Sequence, residues 1–393
     1  MKFEQIKKMD TAHIASTYRR FSVALERGKG ATLTDTDGKQ YVDFSSGIAV
    51  NIFGINDETW KNAVIAQLNK VQHTCNLYYT EPQVRLAELL CEKSGARKVF
   101  FANSGAEANE CALKAARKYS FDKYGPDRYE IVTLENGFHG RTLATLAATG
   151  QEEFHKFFGP FPGGFVYARP DFESVKEKIT DKTCAVMMEL IQGESGVHVL
   201  DKNFVRQITE YCQARDILVI IDEVQTGNGR TGYMYAYQGY GIMPDIITTA
   251  KGLGGGLPIG ACLLFEKTKD AFGYGDNGST FGGNPVACAG AVSIVERLNE
   301  ELFLEVRAKG EYLRTFLSKM PGVEEVTGLG LMIGVRTNGK ASVREIAEKC
   351  VEKGLLVLTA HDRLRLLPPL TIKKTEMDEG LKILNEVMEV VAK

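Results

Sequence analysis

The strongest restriction on the fold comes from short, uninterrupted apolar runs, each parted from the next by a helix-patterned segment. Residues 217–221 read Ile-Leu-Val-Ile-Ile, with no polar position left to face water. A strand with one wet face alternates apolar and polar residues, so an unbroken run belongs to a strand covered on both faces. The run follows a helical stretch, NFVRQITEYCQARD, and similar alternation begins near Arg85: RLAELLCEKSG, KVFFANSG, AEANECALKAARKYSFDKYG, YEIVTLEN, TCAVMMELIQ. Strands reached through helices make parallel neighbours, so the expectation is an α/β fold around a central, mostly parallel sheet.

A chain of 393 residues exceeds what one hydrophobic core usually holds. We expect an N-terminal segment (1–45) packing with a small domain, a large domain (46–285), and a smaller α/β domain (286–393). Asp37-Gly38, between two strand-like runs, is a hairpin signal. Past Pro285 the pattern gives a long helical stretch, a strand at GLGLMIGVR, the helix SVREIAEKCVEKG, short strands at LLVLTA and RLRLLP, and a closing amphipathic helix.

A formal charge of -2 offers no basic face for nucleic acid. The eight cysteines lack a CxxC pair, so neither a disulfide framework nor a zinc site is expected. No run approaches the roughly 20 apolar residues of a membrane span, and the N-terminal residues lack the apolar stretch of a signal peptide. Small-molecule partners, a cytoplasmic setting and no metal are the expectations.

Asp222 closes the apolar run, where open α/β sheets form their ligand crevice. Taken alone it is as readily a helix cap. Lys251 changes that balance, because it stands between the strand-like DIITTA and the glycines of KGLGGGLPIG, which let a bulky group approach the backbone. A lysine so placed is a candidate Schiff-base nucleophile. Paired with Asp222 it suggests an aldehyde cofactor whose ring nitrogen the carboxylate keeps protonated. Asn103-Ser104-Gly105-Ala106-Glu107 joins a strand to a helix, which makes an anion site at the helix N-terminus and equally a capping box from Ser104 to Glu107. Phe138 is an aromatic that could stack on a ring, Arg141 could grip a carboxylate, and His139 between them receives no proton-transfer role. GNGRTG (227–232) fits a dinucleotide fingerprint, but Asp222–Thr226 separate it from its strand and it opens no long helix.

In order, NSGAEAN (103–109), FHGRT (138–142), IQGESG (191–196), IDEVQTGNGRTG (221–232), TTAKGLGGGLPIGA (248–261) and STFGGNP (279–285) resemble the class III, fold-type I aminotransferases from about Arg27 to the last helix. The resemblance implies pyridoxal 5'-phosphate as cofactor, with Lys251 as its Schiff-base lysine and proton shuttle and Asp222 on the pyridinium nitrogen. It places Gln225 near the phenolic oxygen, Val224 and Phe138 on the two ring faces, and Ser104, Gly105 and Ala106 at the phosphate. It further implies a homodimer, with Thr280 reaching the phosphate held by the neighbouring subunit and Ser279 near substrate.

The same resemblance assigns Arg141 to the substrate α-carboxylate and makes Glu194 and Arg365 a switch that masks the arginine until a second carboxylate arrives, with Arg363 a nearby competitor. The implied reaction moves the δ-amine of N2-acetylornithine to 2-oxoglutarate, in arginine or lysine biosynthesis. Rival donors are ornithine, succinylornithine, succinyldiaminopimelate and 4-aminobutyrate; a catalytically silent scaffold is the rival of another kind. Leu190 and Ser195 depart from the family pattern, which has proline and glycine there.

Overall fold

The computed structural model describes residues 1–392. In chain order the strands are β1 (Leu25–Lys29), β2 (Thr32–Asp35), β3 (Gln40–Asp43), β4 (Lys98–Ala102), β5 (Glu130–Leu134), β6 (Phe165–Ala168), β7 (Thr183–Met188), β8 (Ile191–Gln192), β9 (His198–Val199), β10 (Leu218–Asp222), β11 (Ile246–Thr249), β12 (Gly260–Leu264), β13 (Val323–Leu329), β14 (Met332–Thr337), β15 (Leu355–Leu356), β16 (Leu358–Ala360) and β17 (Arg363–Leu366).

Seven of them form the central sheet in the order β4-β12-β11-β10-β7-β5-β6. Only β12 runs against its neighbours, β11 and β4; the other pairs are parallel, as the apolar runs require. Every residue of β7, β10, β11 and β12 is buried. Burial of each Ile, Leu or Val there stabilises the fold by roughly 1.5–3 kcal/mol relative to exposure. Helices Gly105–Tyr124 and Lys202–Gln213 pack against the sheet.

The hairpin at Asp37-Gly38 forms between β2 and β3, and Gly38 takes a φ of +92° that suits glycine. The N-terminal sheet is completed from the far end of the chain, since β15 pairs in parallel with β3. A third sheet, β13-β14-β17-β16, is antiparallel throughout. The helical stretch past Pro285 is two helices, Pro285–Val295 and Glu300–Leu317, because Asn299 turns extended and accepts the Leu302 N–H as an N-cap. GNGRTG is followed only by the short helix Ala236–Tyr240.

Candidate active site

The strand ends of the central sheet open on a cavity of about 450 Å³ lined by, among others, Ser104, Phe138, Glu189, Asp222, Val224 and Lys251. Asp222 is the last residue of β10 and is 4% exposed. Its Oδ2 accepts from Asn109 Nδ2 at 2.8 Å and lies 2.9 Å from His139 Nδ1, while Oδ1 accepts the Val224 N–H at 3.0 Å. Asn109 is itself fixed, taking the Thr248 hydroxyl on its carbonyl oxygen at 2.6 Å and donating to the His139 carbonyl at 2.7 Å. Burial works against a charged His139, but the hydrogen bond and charge of Asp222 outweigh it and raise its pKa.

Lys251 follows β11 with a φ of +44°, a left-handed conformation that costs a non-glycine residue of order 1 kcal/mol or more. Burial lowers its pKa, and the nearby Arg365 adds to the effect against the opposing charge of Glu194. The amine therefore reaches its neutral, nucleophilic form more readily than an exposed lysine.

At the start of the Gly105–Tyr124 helix, Ser104 Oγ accepts the Glu107 N–H at 3.2 Å. Glu107 reaches one residue further back than a capping box requires, accepting the Asn103 N–H at 2.5 Å and leaving the Ser104 N–H outside the reciprocal pair. Gly105 and Ala106 line the cavity behind Ser104. A Cβ on Gly105 would lie 2.7 Å from Val224 Cγ1, so only glycine lets the helix end and Val224 come together.

Phe138 lines the cavity and meets Phe154 edge-on at 6.0 Å. Arg141 lies exposed over both rings, 4.1 Å from the Phe154 centroid, with no carboxylate partner among the described residues. Behind Gln225, Arg365 grips Glu194 with two nitrogens, Nη1–Oε1 at 2.7 Å and Nη2–Oε2 at 3.3 Å. Burial would raise the Glu194 pKa, but the charges of Arg365 and Lys251 reverse this and lower it. Gln225 joins the pair, donating to Glu194 at 3.4 Å and accepting from Arg365 at 3.3 Å. Arg363 points elsewhere, to Glu325 at 2.8 Å and the Thr327 hydroxyl at 3.1 Å.

Four residues given roles from the sequence stand outside the cavity lining: Glu194 and Arg365, paired behind Gln225, and Ser279 and Thr280. Thr280 is exposed, and Ser279 accepts from Asn103 Nδ2 at 3.3 Å and the Gly282 N–H at 2.9 Å. Asn109, Glu189 and Phe154 received no role in the sequence reading. Of these, Asn109 carried a signal: an asparagine among the alanines of a helix interior is unfavourable unless its side chain has work to do. Leu190 fills the core, its carbonyl accepting from Leu200 N at 3.0 Å and Tyr240 Oη at 3.1 Å. Ser195 has no left-handed φ to demand glycine.

Residues 13–388 match the family described as aminotransferase class-III. The chain belongs to the class III aminotransferases. The acetylornithine aminotransferase of Haemophilus ducreyi is 50% identical over 390 residues, 99% of each chain. Among solved structures, the ornithine aminotransferase of Toxoplasma gondii superposes with a TM-score of 0.95 at 29% identity, covering 100% of this chain and 96% of that one. N-acetylornithine aminotransferase from Stenotrophomonas maltophilia gives 0.84 at 34% identity, covering 98% of each.

As a class III aminotransferase the chain is a pyridoxal 5'-phosphate-dependent enzyme, and its residues fit that cofactor. A buried amine of lowered pKa and a buried, braced carboxylate share one cavity with a helix N-terminus suited to a phosphate. Among the described residues no group of three or more His, Cys, Asp and Glu side chains is placed to hold a metal ion. No described helix is long and apolar enough to cross a membrane.

Proposed function

We propose that the chain transfers the δ-amino group of N2-acetylornithine to 2-oxoglutarate, as a homodimer in the cytoplasm and in arginine biosynthesis. The observation that supports this reading is a pair of guanidinium groups near Lys251, Arg141 in the cavity lining and Arg365 close enough to act on the lysine's charge. Arg141 is a free guanidinium at the cavity, and Arg365 is a second one held closed by Glu194. A donor that reacts through its far amine brings one carboxylate to anchor, whereas glutamate reacts through its α-amine and brings two. Arg141 serves the first. Arg365 serves the other once Glu194 swings off it.

Bound pyridoxal 5'-phosphate supplies an aldehyde that condenses with amines and a ring that withdraws electrons. Lys251 would hold the aldehyde carbon, and its amine would move the proton at the substrate carbon. Asp222 would keep the ring nitrogen protonated, and Asn109 and His139 brace it so that it cannot turn away. Phe138 and Val224 would hold the ring faces, Gln225 the phenolic oxygen, and Ser104, Gly105 and Ala106 the phosphate. Thr280, exposed on the single chain, would complete that phosphate site across the dimer, with Ser279 near substrate. The division at residues 45 and 285 follows the same reading: residues 46–285 carry the cofactor, and the C-terminal part, joined to the N-terminal strands through β15, carries Arg365.

Free ornithine is the second reading, supported by the likeness to the Toxoplasma gondii enzyme. A silent scaffold has no use for a desolvated, left-handed Lys251 opposite a braced Asp222. The test is the visible absorption of the purified holoenzyme. Acetylornithine should bleach the cofactor band and 2-oxoglutarate restore it, with ornithine and 4-aminobutyrate slower; a faster response to ornithine reverses the choice of donor.

A further inference from the structure

Glu189 stands one residue past β7, is 6% exposed and lines the cavity, yet forms no ion pair with a Lys or Arg among the described residues. A buried carboxylate without a bonded cation is costly to keep unless its oxygens are put to use. One oxygen accepts the backbone N–H of Phe138, 51 residues earlier, at 2.8 Å. The other accepts the N–H of Gly193 over a longer 3.4 Å. The second bond alone would be a local turn cap; the first joins it to another strand's loop.

Those two amides belong to two separate parts of the proposed site. Phe138 is the aromatic wall, and Gly193 precedes Glu194 on the gate. Gly193 is locked from its other sides as well: its carbonyl accepts from Arg365 at 3.2 Å, and a Cβ on it would lie 2.6 Å from the Gln225 side chain. A shift of Glu194 off Arg365 therefore pulls on Gly193, and through one carboxylate on Phe138.

We propose that Glu189 is a positioning residue that couples the Glu194–Arg365 gate to the aromatic wall, so that the hold on the cofactor ring changes with the state of the gate. This rests on the reading of Glu194 and Phe138 given above. Glu189→Gln leaves one acceptor oxygen and turns an amide N–H₂ toward the other backbone N–H, which breaks one of the two bonds.

The measurement is the rate at which pyridoxal 5'-phosphate leaves the holoenzyme, without substrate, in wild type, Glu189→Gln, Glu194→Gln and the double variant. Glu194→Gln should change that rate by about threefold or more in the wild-type background and not when residue 189 is glutamine, a departure from additivity that only coupled residues give. Equal effects of Glu194→Gln in both backgrounds, zero included, overturn the proposal. If Glu189→Gln does not fold, Glu189→Asp replaces it, keeping the charge on a side chain one methylene too short to reach both amides. A wild-type protein that binds cofactor but transaminates no donor defeats the proposed function and leaves this cycle readable.

Discussion

His139 Nδ1 lies 2.9 Å from the same Asp222 oxygen that Asn109 holds at 2.8 Å, so one carboxylate oxygen is fixed by two side chains, one from the Gly105–Tyr124 helix and one from the loop after β5. The His139 pKa is raised, because the bond and charge of Asp222 overcome burial. A raised histidine contributes stability that is complete below its unfolded pKa, about 6.5, and fades as pH rises through the folded value. His139→Phe should therefore cost more stability at pH 6 than at pH 9, on the order of 1–3 kcal/mol at the acid end. Thermal unfolding at the two pH values checks this; an equal loss at both would show that His139 is neutral throughout.

Lys251 carries the opposite sign. Its pKa is lowered mainly by burial, so between the folded value and about 10.5 the unfolded chain binds the extra proton and the folded state is penalised. Lys251→Ala should abolish transamination, by roughly 10⁴-fold or more. It should also stabilise the cofactor-free protein near pH 7 by about 0.5–2 kcal/mol, with the gain shrinking toward pH 10. Denaturant unfolding of both apoproteins across that range is the measurement.

Arg363 and Arg365 lie two apart on one face of β17 but hold different carboxylates, Glu325 and Glu194, and should separate cleanly in kinetics. Arg365→Ala should raise KM for 2-oxoglutarate by about tenfold to a hundredfold, the loss of a charged hydrogen-bond pair, and leave the donor KM within about threefold. Arg363→Ala strips only Glu325 and Thr327 of a partner and should leave both KM values near wild type. The reverse outcome would hand the switch to Arg363.

Glu223 is fully buried, bound to the Thr226 hydroxyl and the Tyr237 N–H, and burial pushes its pKa up to about 7. The folded state therefore binds the extra proton between the ordinary carboxylate value and about 7, and stability falls with rising pH across that window. Glu223→Gln should flatten the profile and gain on wild type from pH 5 to pH 8, by at most ~3 kcal/mol. A constant difference between the two proteins across that range would refute the assignment.

Much of this molecule was readable in its sequence because the informative residues sit at strand ends. Asp222 and Lys251 each end an apolar run, and the parallel sheet brings both runs to one edge. The resemblance paired Glu194 with Arg365 and left Arg363 as a competitor; the two share one face of β17, and only the tertiary packing sets Arg365 against Glu194 and Arg363 against Glu325. Asn109, Glu189 and the role of His139 were hidden for another reason. Each acts on a partner dozens of residues away, through a contact that no local period encodes. The split of the long helical stretch at Asn299 turned on a single side-chain cap, a local competition that apolar periodicity does not register.

The parallel pairing of β3 with β15 sets an order on biosynthesis. Lys39 beside β3 bonds the carbonyls of Val351 and Glu352, the former 312 residues later. At 5–20 residues per second the N-terminal strands emerge from the ribosome roughly 15–60 s before the segment that completes their sheet. Through that interval β3 is an open edge, and Lys39 beside it sets there the kind of charge that discourages pairing with another nascent chain.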